Sequence, residues 1–162
     1  MEVTDTELIE KIHTQFRGSG LSLSVAESCT GGYIAHLITK LPGASDFFDS
    51  SVVCYSPESK IKLLGVRRSL IRRFGAISEE TARAMAIAIR EKRGTDFSVS
   101  TTGNLGPNPA EDKKVGLVYM AIDWERETTS RGMIFAGTRE EIKHSAALSV
   151  LQLLSEVVET WA

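Results

Sequence analysis

Ser28 is the residue of this sequence best placed to do chemistry. It lies in Leu21 to Gly32, LSLSVAESCTGG, where an apolar, β-rich run stops in Glu-Ser-Cys-Thr followed by two glycines, the pattern of a strand entering a tight turn and then a helix. The first N–H groups of a helix have no partner within it, so a hydroxyl at such a junction sits beside a potential anion or oxyanion site. A serine hydroxyl is inert until a base takes its proton. The three histidines, His13, His36 and His144, all fall on predicted helices, and Ala26 stands where a G-x-S-x-G elbow needs its first glycine, so a Ser-His-Asp arrangement is poorly supported. Lysine is the alternative base, and Lys60 follows the second predicted strand in Tyr55-Ser56-Pro57-Glu58-Ser59-Lys60. Its reference pKa of ~10.4 must fall by about three units, roughly 4 kcal/mol, to poise it near ~7–8. Burial beside Tyr55, away from carboxylates, is the expected source of that shift.

Each of these residues also has a plainer reading. Ser28 could simply cap the following helix, Lys60 could be a solvated helix residue, and Tyr55 a strand residue with a satisfied hydroxyl. Cys29 is a second candidate nucleophile, because a thiolate needs less activation than a hydroxyl. A third loop, Thr101-Thr102-Gly103-Asn104-Leu105-Gly106-Pro107, follows another strand and either joins the site or merely turns the chain. It is no Walker loop, since no G-K-[ST] ending follows. Ser59-Lys60-Ile61-Lys62 fits S-x-x-K, a pattern short enough to arise by chance. Arg67, Arg68, Arg72 and Arg73 form a basic face, read as solvated surface in preference to a phosphate or partner site.

The elements that must position these residues follow from periodicity. Leu8, Ile9, Ile12 and Phe16 mark a first helix closed by Gly18 and Gly20, and Leu21 to Ala26 a first strand. Ile34, Ala35, Leu37 and Ile38 mark a second helix stopped by Pro42-Gly43, and about Asp49 to Tyr55 a second strand. Ser56-Pro57-Glu58 is a helix start, with a capping hydroxyl, proline at the first helical position and an acid in the first turn. A short basic helix about Arg68 to Phe74 ends at Gly75, and Ser78 caps a longer one, Glu79 to about Arg93, stopped by Gly94. Asp96 to Thr101 is a third strand. Val115 to Asp123 and Thr129 to Ala136, joined by the polar turn Trp124 to Thr128, form an antiparallel hairpin. A final helix opens at Gly137 or Thr138. Strands alternating with helices, plus one hairpin, give an α/β sandwich with a mixed sheet, in which ligands bind at the carboxyl ends of strands.

Composition bounds the function classes. The 162 residues fit one domain, with 42% hydrophobic and 25% charged residues and a net charge of −2. That profile leaves no electrostatic footprint for nucleic acid or an anionic membrane. The acidic, helix-periodic start MEVTDTELIEKIHTQF is no secretory signal, no apolar run reaches membrane-spanning length, and Cys29 and Cys54 have no metal-ligand spacing. Reduced thiols in a cytoplasmic protein are the expectation.

The three segments together resemble the CinA C-terminal domain family, whose patterns run A-E-S-[CA]-T-G-G, Y-[ST]-N-x-x-K, T-G-x-A-G-P and R-E-x-I-[RK]. This sequence has AESCTGG at Ala26 to Gly32, YSPESK at Tyr55 to Lys60, TGNLGP at Thr102 to Pro107 and REEIK at Arg139 to Lys143. PGAS at Pro42 to Ser45, LLGV at Leu63 to Val66 and GAISEETARAMA at Gly75 to Ala86 extend the resemblance along nearly the whole chain. The resemblance implies a three-layer α/β/α sandwich with a mixed, mainly parallel five-stranded sheet, forming homo-oligomers. It implies hydrolysis of the carboxamide of nicotinamide mononucleotide (NMN) to nicotinic acid mononucleotide and ammonia, with no metal or other cofactor; the alternatives are a pyridine-nucleotide-binding regulatory oligomer without turnover, or an amidase on a related carboxamide. Ser28 would be the nucleophile and Lys60 the base, with Tyr55 assisting proton transfer or positioning Lys60. Backbone N–H groups around Thr30, Gly31 and Gly32 would stabilise the oxyanion, Thr102 and Gly103 would line the pocket, and Arg139 would meet the ribose-phosphate end. Many members carry a molybdopterin-binding-like domain in front, and none is expected within these 162 residues. Pro57 stands in place of the pattern's asparagine, Leu105 in place of a small residue, and Asn108-Pro109-Ala110 in place of a glycine run.

Overall fold

Two capping boxes fix the starts of the first and last helices. The Thr4 hydroxyl accepts from the Glu7 N–H while the Glu7 carboxylate accepts from the Thr4 N–H, and Thr138 and Glu141 repeat the exchange. The computed structural model describes residues 4–125 and 127–162. Met1 to Val3 of the predicted N-terminal stretch and Arg126 of the predicted hairpin turn lie outside the described residues.

The elements are α1 (Asp5–Ser19), β1 (Leu23–Glu27), α2 (Tyr33–Thr39), β2 (Phe48–Val53), α3 (Pro57–Ser59), a π-helical segment (Lys60–Leu64), α4 (Arg68–Phe74), α5 (Glu79–Arg93), β3 (Phe97–Gly103), β4 (Leu117–Trp124), β5 (Glu127–Ile134) and α6 (Arg139–Trp161). The sheet order is β2-β1-β3-β4-β5. β1 runs parallel to β2 and β3, while β4 is antiparallel to both β3 and β5, so β4 alone is reversed and the sheet is mixed and mainly parallel, as expected. Among the described residues no helix is long and apolar enough to cross a membrane.

Strand alternation divides the side chains between two layers. Leu23, Val25, Phe97 and Val99 point into the large core shared with α1, α2 and α6. Ala26 points the other way, against Met85 and Ile89 of α5 and Leu64 of the π-helical segment. On that face β3 carries hydroxyls instead of apolar groups. Ser98, Ser100 and Thr102 donate to the carbonyls of Ala86, Ala82 and Ala76. The small Ala82 and Ala86 pack against Ala121 of β4, which allows the close approach these bonds need. β3 is thereby anchored along its length up to the residues that line the site.

The strand ends differ from the sequence reading by one or two residues, and β2 stops at Val53, short of the expected Tyr55. β1 starts at Leu23 and reaches Glu27, and β3 continues to Gly103, because its ladder with β4 runs on to Gly103 opposite Val118. That extension comes from tertiary pairing, which local propensity does not encode.

Candidate active site

Parallel pairing brings the carboxyl ends of β1, β2 and β3 to one edge of the sheet, and the three loops leaving them converge there. Ser28, one residue past β1, is held by its N–H on the Thr101 carbonyl at 3.1 Å. Lys60 reaches it from the second loop, with Nζ 2.8 Å from the Ser28 Oγ. The same Nζ donates to the carbonyls of Cys54 at 3.0 Å and Tyr55 at 3.3 Å. Lys60 is 1% exposed and Ser28 5%, so neither is a surface residue. Ser28 does not cap α2 either, since that place belongs to Gly32 at φ +99°, which makes no side-chain cap. The local sequence explains how Lys60 arrives. Ser56 accepts from the Ser59 N–H, Pro57 opens the turn, and the chain widens into a π-helical segment at Lys60 that Gly65 ends in left-handed backbone. Such segments are rare and concentrate at functional sites.

Burial pushes the Lys60 pKa down. The opposing influences are Cys54, Cys29 and Glu111. Both thiols are themselves pushed up by burial, Cys29 to about 12 and Cys54 to about 11, so neither carries charge near neutrality and Glu111 is the opposing charge that remains. The expected position of Lys60 away from carboxylates is corrected accordingly. A protonated Lys60 fills all three contacts with N–H donors. On losing one proton it keeps two N–H bonds for the Cys54 and Tyr55 carbonyls and turns a lone pair on the Ser28 hydroxyl, which is the arrangement of a general base.

Tyr55 serves Lys60 through its main chain. Tyr55 is 58% exposed and its hydroxyl accepts from the Arg139 guanidinium at 2.8 Å, so its side chain is turned away from Lys60. Arg139 also donates to the Gly106 carbonyl, tying the second and third loops to the start of α6. Gly31 spends its N–H on the Ser28 carbonyl at 3.0 Å, whereas the N–H groups of Cys29 and Thr30 have no acceptor among the described residues. Thr102 and Gly103 do line the cavity at Ser28, with the Thr102 hydroxyl committed to Ala76. A side chain on Gly103 would come within 2.7 Å of the Leu117 carbonyl. The histidines do not take part in the pair: His13 bonds the Ile38 carbonyl and His144 bonds Asp5. Arg68 of the basic face pairs with Glu58 on the surface.

Sequence reasoning missed Glu27. It is fully buried, and its carboxylate accepts from the Thr30 hydroxyl (2.8 Å), the Ile34 and Ala35 N–H groups (2.9 and 3.2 Å) and the Ser51 hydroxyl (2.9 Å). Four donors compensate a charge taken out of water. They also stitch the turn after Ser28 to α2 and β2. A charged residue closing an otherwise buried strand was the available signal, because lone buried acids are rare.

Two cavities meet at this edge. The smaller, about 200 Å³, holds Ser28, Lys60, Thr102, Gly103 and Glu111. The larger, about 770 Å³ and open, is lined by Tyr33, Thr138, Lys143 and His144. Cys29, Tyr55, Leu105 and Arg139 border both. Leu105 is buried in the main core at their junction, and Pro57 lines the smaller one, so the two departures from the family pattern shape the pocket wall. Among the described residues no three His, Cys, Asp or Glu side chains gather as a metal-ligand set.

The family model described as CinA C-terminal domain matches residues 5–158. A CinA-like protein of Chloroherpeton thalassium is 42% identical over 160 residues, which are 96% of this chain and 38% of the relative. A relative in Moorella thermoacetica, named for competence damage, is 43% identical over 153 residues, 93% of this chain and 37% of its own length. The chain thus spans less than two fifths of these curated relatives. Among solved structures, the competence or damage-inducible protein of Enterobacter asburiae superposes with a TM-score of 0.94 at 33% identity, covering 97% of this chain and 99% of that one.

Proposed function

From the premise that this chain belongs to the CinA C-terminal domain family, we propose that it is an amidohydrolase that converts NMN to nicotinic acid mononucleotide and ammonia through a Ser28 acyl-enzyme. The reading is supported above all by one contact, the buried Lys60 Nζ at 2.8 Å from the Ser28 Oγ. In the first half-reaction Oγ bonds to the carboxamide carbon while its proton passes to the Lys60 Nζ. The carbonyl π pair moves onto oxygen, for which the proposed donors are the backbone N–H groups after Ser28, those of Cys29 and Thr30 having no acceptor among the described residues. Each well-placed donor is worth about 3–4 kcal/mol in comparable oxyanion sites. The C–N bond then breaks, Lys60 returns the proton to the departing nitrogen, and ammonia leaves an ester on Ser28. Water attacks that ester in the second half-reaction, giving its proton to Lys60. The C–O bond to Ser28 breaks, Oγ recovers a proton from Lys60, and the acid departs, giving its remaining proton to solvent to become the carboxylate.

The two cavities suit the two ends of such a substrate. The 200 Å³ cavity is sized for a carboxamide ring, and the larger one offers Arg139 and Lys143 to the ribose-phosphate. Cys29 is disfavoured as nucleophile, because a thiol pushed up to about 12 holds almost no thiolate near neutrality. The test is ammonia release from NMN, nicotinamide riboside and related carboxamides by the purified protein. Release from NMN that disappears in Ser28→Ala is expected; no release, or release undiminished in that variant, would sink the reading.

A further inference from the structure

The small cavity around Ser28 contains a carboxylate that the hydrolysis itself does not use. Among the described residues Glu111 is the one acidic side chain lining it. Its seat is built for it. One carboxylate oxygen accepts from the Ala76 N–H and the other from the Ile77 N–H, each at 2.9 Å. Glu111 itself adopts left-handed backbone at φ +53°, which non-glycine residues seldom do. A side chain on Gly75 would begin 2.6 Å from the Glu111 Oε2, so the absence of one there makes room for the carboxylate. Two N–H bonds leave a carboxylate with acceptor capacity to spare.

Two cationic side chains, Lys60 and Arg139, line the cavity as well. Lys60 is neutral when it acts as base, and the Arg139 guanidinium is held by the Tyr55 hydroxyl and the Gly106 carbonyl. Arg139 keeps its positive charge at the border with the larger cavity, at the end proposed for the ribose-phosphate, so Glu111 is the negative charge that a ring entering the small cavity meets.

We propose that Glu111 makes the cavity selective for a carboxamide carried on a cationic ring over the same carboxamide on a neutral ring. The inference rests on the amidohydrolase reading and deepens it. A pyridinium ring brings a unit positive charge into a space of about 200 Å³ that already holds a fixed negative one. Hydrolysis then creates a second carboxylate in that space, and like charges at close quarters favour its departure.

The experiment compares calorimetric binding of two probes, nicotinamide and the ring-methylated nicotinamide cation, to the wild type, Glu111→Gln and Glu111→Asp. The cation is expected to bind the wild type about tenfold tighter. That preference should shrink to within about twofold in Glu111→Gln and largely survive in Glu111→Asp. Equal binding of the two probes by the wild type overturns the proposal even where a variant fails to fold, and so does a preference that persists in a folded Glu111→Gln. Ammonia release is measured on the same samples. Absence of turnover with the charge preference intact sinks the amidohydrolase reading and leaves the charge selection standing.

Discussion

Glu27 and Ser28 are neighbours in sequence and face opposite layers of the molecule. The carboxylate of Glu27 turns to the first amides of α2, and the hydroxyl of Ser28 turns to Lys60 beneath α5. The alternation of a single strand thus separates the group that holds the turn from the group that reacts.

Removing either member of the reacting pair should abolish turnover while sparing the fold. Ser28→Ala deletes one small hydroxyl, so its melting temperature should stay near that of the wild type. Lys60→Met keeps the length of the buried stem and loses the base, though it leaves the Cys54 and Tyr55 carbonyls without their donor. Steady-state ammonia assays should show a loss of about 10³-fold or more in kcat for both, the range of other nucleophile and base deletions. A Lys60→Met enzyme with near-normal kcat would remove lysine from the mechanism.

The pH profile should report Lys60. The base must be neutral to accept the Ser28 proton, so kcat/KM rises with pH as Lys60 deprotonates. Burial holds its pKa below the reference value of ~10.4, so the midpoint of that rise should fall below it. Glu111 opposes the downward shift, so Glu111→Gln should move the midpoint to still lower pH. A rise centred at or above the reference value, or a midpoint indifferent to Glu111→Gln, would contradict this electrostatic account.

Much of this site was legible before any coordinates, and the parts that were not have physical reasons. Ser56-Pro57-Glu58 announces a helix start through capping chemistry, and Ser78 with Gly94 brackets α5, because caps and stops are local. The meeting of Ser28 with Lys60 was legible as a convergence of strand ends. Lys60 reads as a solvated residue from its own neighbours, since its burial depends on a π-helical segment packed under α5. The direction of the Tyr55 hydroxyl is set by Arg139, 84 positions away, and no local pattern encodes it. Glu111 follows Asn108-Pro109-Ala110, beyond the motifs that carry the resemblance, and its seat on the Ala76 and Ile77 amides is tertiary, so no local pattern announces it.

Cys29→Ala separates the two nucleophile readings. The side chain borders both cavities and is buried, so its removal should cost some stability and adjust the pocket wall. Its backbone N–H, the proposed oxyanion donor, is retained. Turnover should remain within about tenfold of the wild type, because a thiol pushed up to about 12 contributes no thiolate at neutral pH. A loss as deep as that of Ser28→Ala would transfer the nucleophile to sulfur.

Glu27→Gln should damage rate more than binding. The carboxylate accepts four hydrogen bonds, and an amide in its place presents donors to part of that ring of donors. Bonds to charged acceptors are worth about 1.5–3 kcal/mol each, so losing one or two should lower stability by roughly 2–5 kcal/mol in urea unfolding. The bond to the Thr30 hydroxyl fixes the turn that aims Ser28 at Lys60 and positions the Cys29 and Thr30 amides. A nucleophile displaced by about 1 Å can cost about 100-fold. Where the variant remains folded at the assay temperature, kcat should fall by about 10- to 100-fold with KM nearly constant, because the larger cavity shares none of these bonds. A folded Glu27→Gln enzyme with wild-type kcat would limit Glu27 to stability alone.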